Sequence, residues 1–401
     1  MPDNSLKPSW LNATTFGVGL TSLLSDWSHE IATAILPGFL AALGAGPGWL
    51  GAIEGAADGL SSVAKFVAGD YADRIAKRKP LVVAGYMVTA AATGALAFAA
   101  NAVHVLLARV TAWLGRGART PGRKALLAAA VPPEAYGRAF GFERMMDTLG
   151  AIAGPLTALW LLSRTAHNYK QIFLWTLVPG FLAAASFVLL VRERKFEARP
   201  QRTFRESLRA LPARFRWFLV AVGVFGLGDF AHTLLILYAT QALTPSRGRT
   251  AAASIAISLY LLHNLTYAGS AYLGGWLGDR VRRRSWVLAG GYVLAAVMAA
   301  LLIARPQRLV SLAVVFLLAG SFVGVEEALE DSLAAELVPS QQHGVAFGTL
   351  ATVNAVGDFA SSTAIGLLWT SVSATLAFGI AGALFLAGAV LVLRLSPTPR
   401  M

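Results

Sequence analysis

Long apolar stretches separated by short polar breaks recur from residue 12 to residue 394. A hydrocarbon layer of about 30 Å takes about 20 apolar residues per spanning helix, and on that measure the pattern predicts twelve spans. They run 12–41, 47–68, 80–100, 102–125, 138–162, 171–191, 216–241, 251–275, 285–304, 308–330, 345–370 and 373–394. Residues 192–215, between the sixth and the seventh, are basic and hold no long apolar run. The chain therefore divides into a first bundle at 1–191, a linker at 192–215 and a second bundle at 216–401. Within the linker, Phe204 to Leu211 has the pattern of an amphipathic helix on the membrane surface.

Composition agrees with this pattern. Hydrophobic residues make up 56% of the chain and charged residues 14%, against about 25% charged in soluble domains, so the expected class is an all-α, multi-pass membrane protein. The net charge of +13 maps onto alternate loops. That is the positive-inside pattern, with both termini cytoplasmic, and it removes the reason to invoke nucleic acid. The first apolar run is long and interrupted by charge, unlike a cleavable signal, and is expected to be retained. The absence of cysteine excludes disulfides, thiolate metal sites and thiol catalysis. No phosphate-binding G-x-x-x-x-G-K-[ST] loop is present and no nucleophile, base and orienting acid occur together, so neither ATP-driven work nor enzymatic catalysis is expected, nor any cofactor.

The polar breaks repeat. Gly69-Asp70-Tyr71-Ala72-Asp73-Arg74 returns 206 residues later as Gly275-Trp276-Leu277-Gly278-Asp279-Arg280. Gly137-Arg138-Ala139-Phe140-Gly141 is matched by Gly344-Val345-Ala346-Phe347-Gly348, Pro132 by Pro339 and Gly150 by Gly357. A shift of 207 carries Arg119 and Arg123 onto Glu326 and Glu330, so the basic inner end of span four is answered by an acidic one on span ten, which includes Glu327.

Gly, Asp and Arg at this spacing, in the loops after spans two and eight, resemble the loop motif of the major facilitator superfamily. The resemblance covers essentially the whole chain. It implies two pseudo-symmetric six-helix bundles, each of inverted three-helix repeats, around a central cavity. It also implies a cytoplasmic charge latch that stabilises the outward-facing state. On that basis Asp70 and Asp73 are expected to pair with Arg119 or Arg123, and Arg280 or Arg283 with Glu327 or Glu330. In span five, Gly150-Ala151-Ile152-Ala153-Gly154-Pro155 resembles in part the antiporter motif of the superfamily. A helix-packing notch with a proline kink accounts for the same residues.

Polar residues inside the spans are the candidate chemistry, because a charge at mid-membrane costs about 3 kcal/mol and faces the bundle interior. Asp26, His29 and Glu30 share a face of span one, and Glu54 and Asp58 a face of span two. Gly51, Gly55 and Gly59, four apart, offer a surface on which another helix packs and slides. Span five opens with Glu143, Arg144 and Asp147, and Arg144, which stays charged, is expected to be the buried base for Asp26 or Glu30. Span seven carries Asp229 and His232. Span eight carries His263 and Asn264 with Tyr260 and Tyr267, a polar and aromatic wall for an organic solute, and span eleven carries Asn354. Fixed ion pairs and interhelical hydrogen bonds are the structural alternative at each position.

The expectation is a secondary active transporter that moves a small organic compound by alternating access, with proton-coupled export. Asp26 and Glu30 are the exchanging acids, His29 a relay, and Glu54 and Asp58 the reserve. One alternative is a divalent transition-metal carrier using Asp26, His29, Asp229 and His232. Another is a non-transporting receptor or lipid-handling protein on the same fold. Expected partners are the solute, protons and the bilayer, with the chain a monomer in a cell membrane, as in a bacterial inner membrane.

Overall fold

The computed structural model describes residues 10–45, 47–165, 168–193 and 204–395, and these form helices with no strand among them. In order they are α1 (Ala13–Ala42), α2 (Pro47–Arg74), α3 (Lys79–Ala95), α4 (Ala102–Ala130), α5 (Tyr136–Arg164), α6 (Tyr169–Trp175), α7 (Leu177–Leu190), α8 (Phe204–Arg209), α9 (Ala213–Gly226), α10 (His232–Arg247), α11 (Arg249–Arg280), α12 (Arg284–Ile303), α13 (Leu309–Leu337), α14 (His343–Ser371) and α15 (Ala374–Leu393). The pair α6 and α7 makes one span broken at Thr176, and α9 and α10 make one broken at 227–231. With α8 in the linker, the chain has the twelve-span, all-α architecture. Residues 194–203 of the linker lie outside the described residues.

Local sequence accounts for the helix starts. The side chains of Asn12, Asn101, Asn168 and Ser373 accept hydrogen bonds from the first-turn N–H groups of α1, α4, α6 and α15, satisfying donors that a helix leaves orphaned. Pro80 sits in the first turn of α3, where its missing N–H is harmless. Several helices outrun their apolar stretches: α4 continues to Ala130 and α13 to Leu337, past the expected 125 and 330. Leu126 and Leu127, and Leu333 and Ala334, are buried in those extensions, so amphipathic packing carries the helix on where hydropathy ends.

Six helical stretches among the described residues are long and apolar enough to cross a membrane by composition alone: Lys79–Phe98, Pro133–Arg164, Tyr169–Leu190, Arg284–Ile303, Leu309–Leu337 and Ala374–Leu393.

Two compact units result. The first comprises Met1–Ala139, Met146–Ala210 and Val338–Ala351, the second Phe140–Met145, Leu211–Leu337 and Thr352–Met401. In the first, α4 packs on α2 and α3, and α1 and α3 on α7. In the second, α13 packs on α11 and α12, and α9 and α12 on α15. The duplicated sequence thus repeats its helix pairing. It repeats its closest approaches too, since a Cβ on Gly117 of α4 would meet the Ser61 carbonyl of α2 at 2.5 Å, and one on Gly324 of α13 the Tyr267 carbonyl of α11 at 2.6 Å. The first core joins Ile31, Ile35 and Phe39 of α1 to Ile172 and Phe173 of α6, with Phe39 edge-on to Phe173 at 5.0 Å. In the second, Phe225 stacks on Tyr292 at 3.7 Å and packs on Phe385 at 4.9 Å.

Candidate functional site

In the first unit, α1, α2 and α4 bring buried charges together around one ring. Arg109, Trp113 and Arg116 lie at i, i+4 and i+7 on α4 and so share a face. Arg116 pairs with Asp26 at 2.8 Å, and Arg109 with Glu54 at 3.1 Å while donating to Thr33 Oγ1 at 3.0 Å. The Trp113 indole stands between them, 4.0 Å from the Arg109 guanidinium, 5.8 Å from that of Arg116 and 4.0 Å from the His29 ring, and its N–H donates to Asp58 at 2.5 Å. His29 is buried, its Nε2 3.3 Å from Thr33 and 3.9 Å from Glu30. Asp147 is buried, and its charge acts on Arg116. The expected acids of spans one and two therefore meet, but through bases on span four.

Arg144, expected as the counter-charge of Asp26 or Glu30, lies 2.7 Å from Glu327 in the second unit. Span rotation decides this, and the sequence does not encode it locally. Trp113 and Arg116 were missed as site residues, although the 109–113–116 spacing was a usable signal.

The close-approach glycines are also redistributed. A Cβ on Gly150 would strike the backbone of Leu23, and one on Gly154 the Glu30 side chain, so both seat α5 against α1. Pro155 lies within the same helix. Gly55 and Gly59 have nothing within 4 Å of a Cβ, contrary to the expected packing surface. Gly117 supplies the approach between α2 and α4, so the glycines of α2 are not used for it. Gly51 lies in α2 with them.

At the first repeated loop, the acids find bases close by in sequence. Asp70 pairs with Arg74, and Asp73 with Arg78 at 2.8 Å. Asp73 also accepts from the N–H groups of Gly344 and Val345, each at 2.8 Å, and so caps the N-terminus of α14. Gly69 leaves no room for a Cβ against Gly344. Arg78 donates to the Ala72 carbonyl at 3.0 Å, and its own N–H and that of Lys79 donate to Glu193. Burial pulls the Arg78 guanidinium below its usual range, while Asp73 and Glu193 oppose the shift. At the second loop, which also contains Gly275 and Arg280, Asp279 pairs with Arg284 at 2.9 Å and Arg284 with Glu336 at 2.5 Å, while Arg280 stacks over Trp276 at 3.8 Å.

The remaining pairings expected of the latch differ from those found. Arg119 donates to Ser25 Oγ at 2.7 Å and lies over the Tyr86 ring, and Arg123 donates to Ser22 Oγ at 2.6 Å. Glu330 accepts from Tyr292 at 2.6 Å and Asn354 at 2.9 Å, and Glu327 accepts from Tyr267 as well as pairing with Arg144. These charges sit inside packed helices, with Arg119 and Glu330 only 2% and 1% exposed.

Elsewhere in the second unit, His232 stacks on Tyr260 at 4.8 Å, its Nε2 3.1 Å from the tyrosine hydroxyl, and Tyr260 stacks on His263 at 5.4 Å. His263 Nδ1 lies 3.1 Å from Asn264 Oδ1, and Glu143 is buried. Asp229 falls in the unwound stretch between α9 and α10. Its carbonyl accepts from Ser361 Oγ, and the N–H of Ala231 donates to Ser362 Oγ at 3.0 Å. No group of three or more His, Asp or Glu side chains among the described residues is arranged to hold a metal ion.

The model of the Major Facilitator Superfamily matches residues 18–244 and 218–401. An uncharacterized MFS-type transporter of Methanocaldococcus jannaschii is 28% identical over 362 residues, covering 90% of this chain and 89% of that protein. The multidrug resistance protein MdtH of Aeromonas hydrophila is 27% identical over 235 residues, 56% of this chain and 58% of that one. Among solved structures, the E. coli fucose:proton symporter superposes with a TM-score of 0.80 over 97% of this chain and 100% of its own. At 16% identity that likeness shows the fold.

Proposed function

The chain belongs to the major facilitator superfamily and is a multi-pass membrane transporter, and from that premise we propose that it exports a small organic solute in exchange for protons. The observation that carries this reading is the Asp26–Arg116 ion pair beside the Trp113 ring. A buried carboxylate held by a guanidinium gains a proton only by giving up its partner, because the two interactions compete for the same oxygens. Protonation of Asp26 frees Arg116, and release of the proton restores the pair, so proton occupancy and the packing of α1 on α4 are linked. Glu54 and Arg109 form a second pair on the other side of the ring, with His29 and Glu30 in reach as relay groups. The apolar and aromatic surroundings suit an organic solute.

Similarity to MdtH and the Gly150–Gly154–Pro155 notch against α1 support export. The Asp73 cap on α14 and the Asp279–Arg284–Glu336 cluster serve as conformational latches on the cytoplasmic side, with both termini in the cytoplasm and the protein in a bacterial inner membrane. A divalent-metal carrier is less supported, since His232 is engaged by Tyr260.

Proteoliposomes with an imposed pH gradient and ethidium as the probe test the reading. Gradient-driven ethidium flux is expected in the native protein. In Asp26→Asn it should fall to the level of empty vesicles, while exchange of labelled for unlabelled ethidium without a gradient persists. Flux in the native protein that a protonophore leaves unchanged would sink proton coupling.

A further inference from the structure

The two copies of the repeated loop share one ion pair and differ around it. Shifted by 206 residues, Asp73 falls on Asp279 and Arg78 on Arg284, and both copies keep that pair, at 2.8 and 2.9 Å. Asp70, which pairs with Arg74, is replaced by Trp276, so Arg280 lies 3.8 Å over an indole where its counterpart Arg74 has a carboxylate. Ala76 is replaced by Arg282, and Pro80 by Trp286, over which Arg283 lies at 5.5 Å.

The exchange leaves the second loop with bases that no acid answers. Asp279 and Glu336 pair with Arg284. Among the described residues Arg280, Arg282 and Arg283 make no ion pair, and Arg280 and Arg282 are exposed. Three links of chain keep the Cα atoms of Arg280 and Arg283 within about 11 Å of each other, near enough for both side chains to engage one anionic group. The tryptophans stand where helix meets loop, Trp276 near the end of α11 and Trp286 in the first turn of α12. Neither indole N–H has an acceptor among the described residues. At helical spacing from Trp276, Leu273 and Leu265 are 60% and 53% exposed, and from Trp286, itself 55% exposed, Val293 and Val297 are 42% and 45% exposed. Each indole thus heads an uncovered apolar stripe that runs into its span.

We propose that this loop binds an anionic phospholipid, with the phosphate held by Arg280, Arg282 and Arg283, the ester region at the indoles and the acyl chains along the stripes. Guanidiniums match a phosphate diester in geometry as well as charge. An indole, with an apolar body and a polar tip, settles at headgroup level, and bases beside a span draw anionic lipid to it. The stripes and the tryptophans select a lipid over a soluble anion, which would use the arginines alone. In the first loop Asp70 already neutralises Arg74, and a phosphate there would compete with a carboxylate of the chain. This site is separate from the Asp26 pair and does not depend on proton coupling.

The test uses the full chain in non-ionic detergent with phosphatidylglycerol and phosphatidylcholine as probes, read by native mass spectrometry of the retained lipid. Phosphatidylglycerol is expected to be retained in preference, and less so as salt is raised. The double variant Arg280→Gln, Arg283→Gln should lower its affinity by about tenfold. Trp276→Asp, which gives Arg280 the carboxylate that Arg74 has, should weaken it as well, while Lys77→Gln in the first loop should leave it unchanged. Melting without lipid confirms that each variant is folded. Equal retention of the two lipids overturns the proposal, as does native affinity in the double variant. Displacement of the lipid by an equal concentration of glycerol 3-phosphate would make the patch a site for a soluble anion, and an equal loss in Lys77→Gln would reduce it to unspecific positive charge; either result overturns the proposal.

Discussion

Trp113 shows how much one residue can organise in a membrane interior. It supplies an electron-rich face to Arg109, a stacking surface to His29 and an N–H donor to Asp58. Trp113→Phe keeps the face and loses the donor, and unfolding in detergent is expected to show a loss of about 1 kcal/mol, the net value of one hydrogen bond. Trp113→Ala removes all three functions, with an expected loss of about 3–5 kcal/mol. If both variants unfold alike, the ring is not the organiser inferred here. At this level the sequence was half legible. Asp26, Glu30, Glu54 and Asp229 stood out because charge inside an apolar run is rare. The bases that pair with Asp26 and Glu54 did not, since Arg116 and Arg109 are two of several on α4, and only the rotation of α4 chooses between them.

Among the elements, α14 carries a clear dependence on a distant loop. Its N-terminal N–H groups are capped by Asp73 rather than by a residue of its own. Asp73→Ala removes the cap and also the carboxylate paired with the buried Arg78, and is expected to lower stability by about 3–5 kcal/mol, visible as a lower melting temperature. Equal melting of Asp73→Ala and the native protein would remove the cap from the account. The glycines give a paired prediction. Gly150→Val, against the backbone of Leu23, should leave little folded protein, while Gly55→Ala, with open space around it, should melt at or slightly above the native temperature. Fluorescence-detected size exclusion after heating reads both, and a tolerated Gly150→Val contradicts the packing. The notch at Gly150 and Gly154 could be seen in the spacing. The break at 227–231 could not, because the hydroxyls of Ser361 and Ser362 that make it tolerable come from a helix more than a hundred residues away.

For the molecule as a whole, the orientation is open to direct measurement. The chain has no cysteine, so each introduced thiol is the only one. Arg209→Cys, in α8, is expected to react with an impermeant maleimide only from the cytoplasmic face, and Arg308→Cys, between the ninth and tenth spans, only from the opposite face. Reversed labelling would invert the topology.

The span count, the duplication at 206–207 residues and the membrane environment were readable in the chain, because hydropathy and repeat spacing are properties of consecutive residues and a bilayer imposes them without regard to packing. Which base neutralises which acid, and how far α4 and α13 continue past their apolar runs, were settled by the assembled helices. Those outcomes depend on helix rotation and on contacts between positions remote in sequence. Ser361 takes its meaning from such a neighbour, and no local pattern marks it.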